Sequence, residues 1–340
     1  MRTLEVHGST GKSSILVGEK LSEFPIPMEK AVIITDTIVN GHYGKDFPPF
    51  EVIEIPTGER IKNLTTVTEI YERLLELEVD RSFFIIGIGG GVVCDIAGFV
   101  ASTYLRGLKS VMVPSTLLSQ VDAGVGGKNG VNLGGYKNIV GVFRQPDWVL
   151  CDISLLKTLP QRQVHSGYAE IVKHAAIGDA DLFSFLEEHH RKALHLDSQV
   201  MENLIYHSLV IKASIVNRDE KENGERRILN FGHTFGHAIE KTTAFSHGEA
   251  VSVGMVIASR LSEQIGYLEA KDSRRIETLL KRLRLPIRLQ AKKEEIFDAI
   301  RKDKKRNGDR IKFVLLKAIG RPFVEEIPIG KLENAVGDII

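Results

Sequence analysis

The chain has 340 residues, 43% of them hydrophobic, enough to bury a substantial core and better suited to two domains than to one. Lys and Arg number 45 against 44 Asp and Glu, a formal charge of +1, so no general field draws the protein to nucleic acid or to a membrane, and any basic cluster is a local device. Two cysteines, Cys94 and Cys151, are too few for a disulfide framework and lack metal-ligand spacing, which predicts buried thiols in a reducing cytoplasm; no apolar stretch is long enough for an export signal or a membrane span.

The N-terminus, Met1 to Val6, alternates like an edge strand. Up to about residue 155, strands and helices then alternate. Ala31 to Thr35, Phe50 to Ile55, Phe83 to Ile88 and Ser110 to Val113 read as strands, with helical stretches at Leu64 to Leu77 and Asp95 to Tyr104. This order predicts a Rossmann-like, largely parallel sheet covered by helices. From Pro160 onward glycine thins out, and Gln161 to Ile177, Ser198 to Val216, Gly248 to Ile265 and Asp272 to Leu283 carry apolar residues at helical spacing. The expected architecture is therefore an N-terminal α/β domain over residues 1–155 and a C-terminal, mainly α-helical domain over residues 156–340.

The run Ile85-Ile86-Gly87-Ile88-Gly89-Gly90-Gly91-Val92-Val93-Cys94-Asp95 is a strand, a glycine turn and a helix start, which aims backbone N–H groups at an anion. It departs from the usual dinucleotide fingerprint, because the third glycine position holds Cys94 or Val92 depending on where the count begins. A tight turn with positive φ would need the same glycines. Asp36, the segment Thr57 to Lys62 and the pair Ser115-Thr116 also follow strands, and polar groups at strand C-terminal ends suit a dinucleotide site.

In the second half, Gly232-His233-Thr234-Phe235-Gly236-His237 sets two imidazoles at i and i+4, followed by Ser246-His247-Gly248-Glu249. Thr234 stands where a zinc protease of the HExxH type needs glutamate, which disfavours that chemistry. Upstream, Glu170 and Lys173 share one face of an otherwise apolar helix. One carboxylate and two histidines with an open fourth position make a catalytic zinc arrangement. Further polar residues fall in otherwise apolar or glycine-rich stretches: Asp122, Lys128, Lys137-Asn138, Lys212, Arg226, Asn230 and Asp303-Lys304-Lys305. The last group also reads as a solvated charged loop. Lys128, behind the glycines from Gly124 to Gly127, suits a closely approaching anion.

Seven blocks in order carry a resemblance that runs nearly end to end: Gly89 to Val93, Tyr104 to Gly107, Pro114 to Lys128, Lys137-Asn138, Ala169 to Lys173, Leu229 to His233 and His247 to Val251. Together they resemble the 3-dehydroquinate synthases, within the sugar phosphate cyclases and more distantly related to iron-dependent alcohol and glycerol dehydrogenases. The resemblance implies a phosphorus–oxygen lyase of the shikimate pathway of aromatic amino acid biosynthesis, with NAD, Zn2+ (Co2+ as a substitute), a sugar phosphate substrate and a homodimer. It implies Glu170, His233 and His247 as metal ligands. NAD falls to Asp36, Glu59, Lys62, Gly90, Gly91, Asp95, Ser115, Thr116, Lys128, Lys137, Leu155 and Thr158. Substrate falls to Asp122, Lys128, Asn138, Lys173, Lys212, Arg226, Asn230 and Lys304, with His237 helping to move protons and Arg106 supplied by a neighbouring subunit. Three features depart from the family pattern: Cys94 replaces a common glycine, Asn129 replaces a usual threonine, and the stretch from Val131 to Lys137 is short. The rival readings are a sibling cyclase, disfavoured by Arg226 and Asn230, expected at a substrate carboxylate; a polyol dehydrogenase, which usually has aspartate where Glu170 stands; and a non-catalytic NAD- or zinc-binding regulator, which would not need so many converging cations.

Overall fold

A computed structural model describes residues 2–24, 28–289, 293–301 and 306–336. The chain divides into two compact units, Met1–Pro160 with Met201–Lys221, and Gln161–Val200 with Glu222–Ile340.

The first unit opens with strands β1 (Arg2–Gly8) and β2 (Gly11–Val17), then β3 (Ala31–Asp36), helix α1 (Thr37–Tyr43), β4 (Glu51–Ile55), α2 (Leu64–Glu76), β5 (Phe84–Gly89), α3 (Gly91–Thr103) and β6 (Lys109–Pro114). A hairpin of β7 (Lys128–Leu133) and β8 (Tyr136–Phe143) follows, then β9 (Trp148–Cys151). Seven strands form one sheet in the order β1-β2-β9-β6-β5-β3-β4. All neighbours are parallel except β1 and β2. Ile85, Ile86 and Ile88 of β5 are fully buried, as expected of a central parallel strand covered on both faces. Parallel pairing aligns Asp36, Gly89 and Pro114 at one edge of the sheet, the edge at which such sheets bind ligands. Asp36 also starts α1, its Oδ1 accepting from the N–H groups of Ile38 and Val39, both at 3.0 Å.

The second unit holds α4 (Gln161–Gly178), α5 (Ala180–Leu194), the first turn of α6 (Ser198–Arg218), α7 (His233–Thr242), α8 (His247–Gln264), α9 (Ala270–Arg282) and α10 (Lys293–Arg301). Strands β10 (Arg306–Asn307), β11 (Arg310–Ala318) and β12 (Arg321–Pro328) and helix α11 (Ile329–Val336) complete it. Helices α4 and α8 are buried over most of their lengths, and α4 buries Glu170, Lys173 and His174 among its apolar residues. The antiparallel sheet β10-β11-β12 adds a β element that helical periodicity had not revealed.

The compact units differ in their bounds from the division expected after residue 155. The first unit runs on to Pro160, and Met201–Lys221 joins it from the middle of the helical half. Polar bonds hold that segment there. Arg2 Nη1 donates to Asn203 Oδ1 at 3.2 Å, and the Lys212 ammonium donates to the Asp122 carbonyl and carboxylate. Glu220 accepts from Ser9 Oγ at 2.6 Å, Thr10 N at 3.2 Å, Thr10 Oγ1 at 2.5 Å and Gln145 Nε2 at 2.9 Å. A helical period reports which face is buried, not which unit buries it.

Burial opposes ionisation of Glu220, but its hydrogen bonds from Ser9, Thr10 and Gln145 win and set its pKa below the ordinary carboxylate value. A carboxylate lowered in the folded state adds stability above its unfolded pKa and loses that contribution as pH falls through the folded value. Glu220→Ala is therefore expected to cost on the order of 2–4 kcal/mol at neutral pH, since several donors to a buried charge lose their acceptor. In urea titrations of ligand-free protein, the gap between parent and variant should shrink as pH is taken below the ordinary value of 4.5. A gap that stayed constant to strongly acid pH would contradict this account.

Candidate active site

Glu170 lies in the middle of α4 with no solvent exposure, and Lys173, one helical turn on, is 1% exposed. The i, i+3 spacing sets the lysine ammonium directly against Glu170 Oε2. His233 is the first residue of α7 and His247 the first of α8. Their Nε2 atoms each lie 3.5 Å from Glu170 Oε1. Both carboxylate oxygens are sealed from solvent without a hydrogen bond of good geometry. The three residues offer ligand atoms that all lie within 4.8 Å of one another. A tetrahedral ion with bonds of about 2.1 Å would space neighbouring ligands roughly 3.4 Å apart, so this donor set fits a divalent cation such as zinc.

Both histidines occupy helix starts, so the caps set where the rings stand. Gly232, at φ +78°, turns the chain into α7, and a Cβ there would lie 2.6 Å from Met255 Cγ and 2.9 Å from the Val251 carbonyl. A side chain would force α7 away from α8. Gly248 is as constrained, because its added Cβ would meet the Ser166 carbonyl at 2.3 Å, while its N–H donates to Ser166 Oγ at 2.9 Å. Ser246 and Glu249 close a capping box around His247, and Arg162 grips Glu249 with two bonds of 2.9 and 2.6 Å. The outer ring nitrogens are also bound: His233 Nδ1 is 3.2 Å from the Phe231 carbonyl and His247 Nδ1 is 3.1 Å from Glu240 Oε2. The His237 ring sits 5.3 Å from that of His233 and 6.3 Å from that of His247, outside the converging set.

Burial works against a charged Glu170, but Lys173 and then the two imidazoles outweigh it and hold the carboxyl well below the usual range. Burial and the Lys173 charge push His233 well below the imidazole value, keeping it neutral. Burial would lower His247 too; the Glu170 and Glu240 carboxylates on its two nitrogens override it and lift the group to about 10.

The first unit gathers the residues expected at NAD. Gly90 and Gly91 begin α3. Ser115 and Thr116 follow β6, with Ser115 N donating to the Gly89 carbonyl at 2.8 Å. Tyr43 Oη links the Leu155 carbonyl at 3.1 Å to Thr158 Oγ1 at 2.8 Å. Lys62, 4% exposed, donates to Asp95 and, at 2.6 Å, to Asn138 Oδ1. Burial lifts Asp95 to about 6 even against the pull of Lys62. Asn138 sits at φ +50°, and its N–H donates to Asn132 Oδ1 at 2.8 Å. Asn132, which sequence reasoning passed over, also donates from Nδ2 to Glu59 Oε1 at 2.8 Å and from its backbone to the Lys62 carbonyl at 2.8 Å. One asparagine in the short hairpin thus holds two residues expected at NAD and one expected at substrate.

Lys128 and Lys137 are exposed at the ends of the hairpin. Arg106 is exposed at φ +65°. In the second unit Arg226 is 3% exposed and Asn230 Nδ2 donates to Glu222 Oε1 at 2.5 Å. Lys304 lies outside the described residues. Among the departures, Asn129 Nδ2 bonds the Gly127 and Arg144 carbonyls at 3.2 and 2.9 Å, a bridge threonine could not make. Cys94 is buried with its Sγ 3.6 Å from the Gly89 carbonyl.

Two family models match in succession, 3-dehydroquinate synthase N-terminal over residues 52–166 and 3-dehydroquinate synthase C-terminal over residues 167–306. A 3-dehydroquinate synthase from Dehalococcoides mccartyi is 42% identical, with 96% of each chain covered. The chain belongs to the 3-dehydroquinate synthase family. Among solved structures, 2-deoxy-scyllo-inosose synthase with carbaglucose-6-phosphate, NAD+ and Co2+ matches with a TM-score of 0.89, 27% identity and full coverage of both chains. The 2-epi-5-epi-valiolone synthase from Streptomyces hygroscopicus, with NAD+ and Zn2+ bound, gives 0.88 and 25% over 100% of this chain and 99% of that one. These two are sibling cyclases in fold; the higher identity lies with the dehydroquinate synthases. NAD and a divalent metal are the cofactors of the family.

The position of Asn132 can be tested directly. Asn132→Ala removes side-chain bonds to Glu59 and to the Asn138 N–H, at about 0.5–1.5 kcal/mol each, so NAD affinity measured by calorimetry should fall about tenfold. Zinc affinity should not move. Unchanged NAD affinity would take Asn132 out of cofactor binding.

Proposed function

We propose that the chain converts 3-deoxy-D-arabino-heptulosonate 7-phosphate into 3-dehydroquinate and phosphate, as a homodimer in the cytoplasm. The observation that carries the reading is the buried Glu170 carboxylate with two imidazole nitrogens at 3.5 Å, in a chain that matches the family over both halves. When bound, NAD and the divalent cation supply reversible hydride exchange and polarisation of a secondary hydroxyl. The protein's own residues do the rest. Glu170, His233 and His247 hold the cation. Lys173, beside Glu170, contributes positive charge where an oxyanion develops. Arg226, which is buried, and Asn230, which is partly so, suit the substrate carboxylate, Lys128, Lys212 and Asn138 suit its phosphate and hydroxyls, and His237 moves protons at its imidazole. The substrate phosphate acts as a further base on its way out. Much of the rate comes from holding one conformer of a flexible substrate while elimination and intramolecular aldol closure take place.

The cytoplasmic assignment is supported by two free, buried cysteines whose thiols burial pushes up, Cys151 to about 12, and no described helix is long and apolar enough to cross a membrane. The dimer is supported by exposed apolar side chains on the hairpin, Leu133, Tyr136, Ile139 and Phe143, and by exposed Leu105 beside Arg106.

An oxidation used only to acidify a neighbouring C–H is reversed before product leaves. With enzyme far below substrate and NAD in excess, phosphate is expected over many turnovers with no lasting rise in reduced-nicotinamide absorbance. NADH formed in step with substrate consumed would replace the cyclase by a dehydrogenase. For the dimer, Arg106→Ala and His247→Ala should each be inactive alone, yet regain activity when co-expressed, because one site of the mixed dimer then has an intact metal centre and the partner's arginine. No recovery in verified mixed dimers would place Arg106 in its own subunit's site.

A further inference from the structure

We propose that Glu240 is a positioning residue of the metal centre, holding His247 in the tautomer and orientation that present Nε2 to the cation. The inference rests on reading Glu170, His233 and His247 as ligands. An imidazole can bind metal through either nitrogen, and the hydrogen bond at one nitrogen decides which remains for the ion. In His247, Nδ1 lies 3.1 Å from Glu240 Oε2 and Nε2 lies 3.5 Å from Glu170 Oε1. The ring is bracketed by two carboxylates, one inside the ligand set and one behind it.

The placement follows from helix geometry. His233, His237 and Glu240 occupy i, i+4 and i+7 on α7 and share one stripe of that helix. Helix α7 thus supplies its own ligand, His233, and also the acceptor that fixes the ligand of α8. The two ligand histidines are backed unequally, since His233 Nδ1 faces the backbone carbonyl of Phe231 at 3.2 Å. A carboxylate makes the imidazole a stronger donor to the metal than a neutral carbonyl does. An ordinary ion pair here would add little to folding: the side chains of Glu240 and His247 are 22% and 28% exposed, and partly wet pairs contribute marginally. The effect belongs in metal affinity.

The test uses the full-length, NAD-free protein stripped of metal and titrated with zinc against a chromophoric chelator. Glu240→Gln keeps the side chain's shape and removes its charge, and zinc affinity is expected to fall about 10–100-fold while the thermal midpoint of the metal-free protein stays put. The d–d absorption of the cobalt-loaded variant should shift, reporting a changed ligand field at His247. Zinc affinity equal to the parent, with an unshifted cobalt spectrum, would overturn the proposal. So would a loss of zinc affinity matched by loss of metal-free stability, which would make Glu240 a fold residue. His247→Ala separates this inference from the reading beneath it. That variant should lose zinc altogether; if it retains stoichiometric zinc, the ligand assignment fails, whereas its loss of zinc beside an unaffected Glu240→Gln removes Glu240 alone.

Discussion

A carboxylate buried in a helix that is otherwise apolar sets the terms for the second unit. Glu170 has no solvent exposure, and a charge in that position costs several kcal/mol unless opposite charge and hydrogen bonds replace its water. Lys173 neutralises it formally, but its contact reaches only Oε2. Oε1 is left to the two imidazoles, neither of which makes a well-formed hydrogen bond to it. A stable fold would not by itself leave a buried carboxylate in that condition, because replacing such a group with a packed apolar one is often neutral or favourable. Its retention makes sense when a divalent cation completes the shell, and the spacing of the three donors suits one.

Delivering two histidines to that carboxylate is a problem of helix starts. A residue in mid-helix is placed by its neighbours on either side, whereas the first residue of a helix is placed by its cap. His233 is fixed by the left-handed turn at Gly232 and by the packing of α7 on α8; His247 is fixed by the Ser246–Glu249 box, the Arg162 clamp and the bond from Gly248 N–H to Ser166. Since Ser166 belongs to α4, the start of α8 is tied one helical turn away from Glu170 itself. The ligand positions are thus referred to a single rigid element. Changes at Gly248 or Arg162 would act on the metal without touching it.

Much of this was legible in the sequence, and the parts that were not share a cause. Alternating apolar runs revealed β3, β4, β5 and β6, and helical spacing revealed α2, α4, α6, α8 and α9, because each is an amphipathic or wholly apolar segment whose period follows from its own burial. The histidines and Glu170 drew notice for the same reason, that polar groups in apolar settings need partners, while the choice of Glu170, His233 and His247 came from the resemblance; the structure brings the ligand atoms of those three within 4.8 Å of one another and leaves His237 outside the set. What escaped was long-range. Met201–Lys221 belongs with the first unit through Glu220, Lys212 and Asn203, residues whose partners lie 75 to 211 positions away. The hairpin of β7 and β8 went unread because its second strand is exposed along most of its length, leaving no alternation to detect. Glu240 and Asn132 carry no motif that singles them out in the sequence, and their hydrogen-bond partners emerge only in the structure.

That hairpin binds together two sets of residues that the family assigns to different ligands. Lys62, one of the residues expected at NAD, donates one hydrogen bond to Asp95 and another to Asn138, while Asn132 holds Glu59 with one end of its amide and the Asn138 backbone with the other. Asn138 is thereby kept in a left-handed conformation that costs a non-glycine residue some strain, though asparagine least. Glu59, Lys62 and Asn138 are thus joined in one hydrogen-bonded set through Asn132.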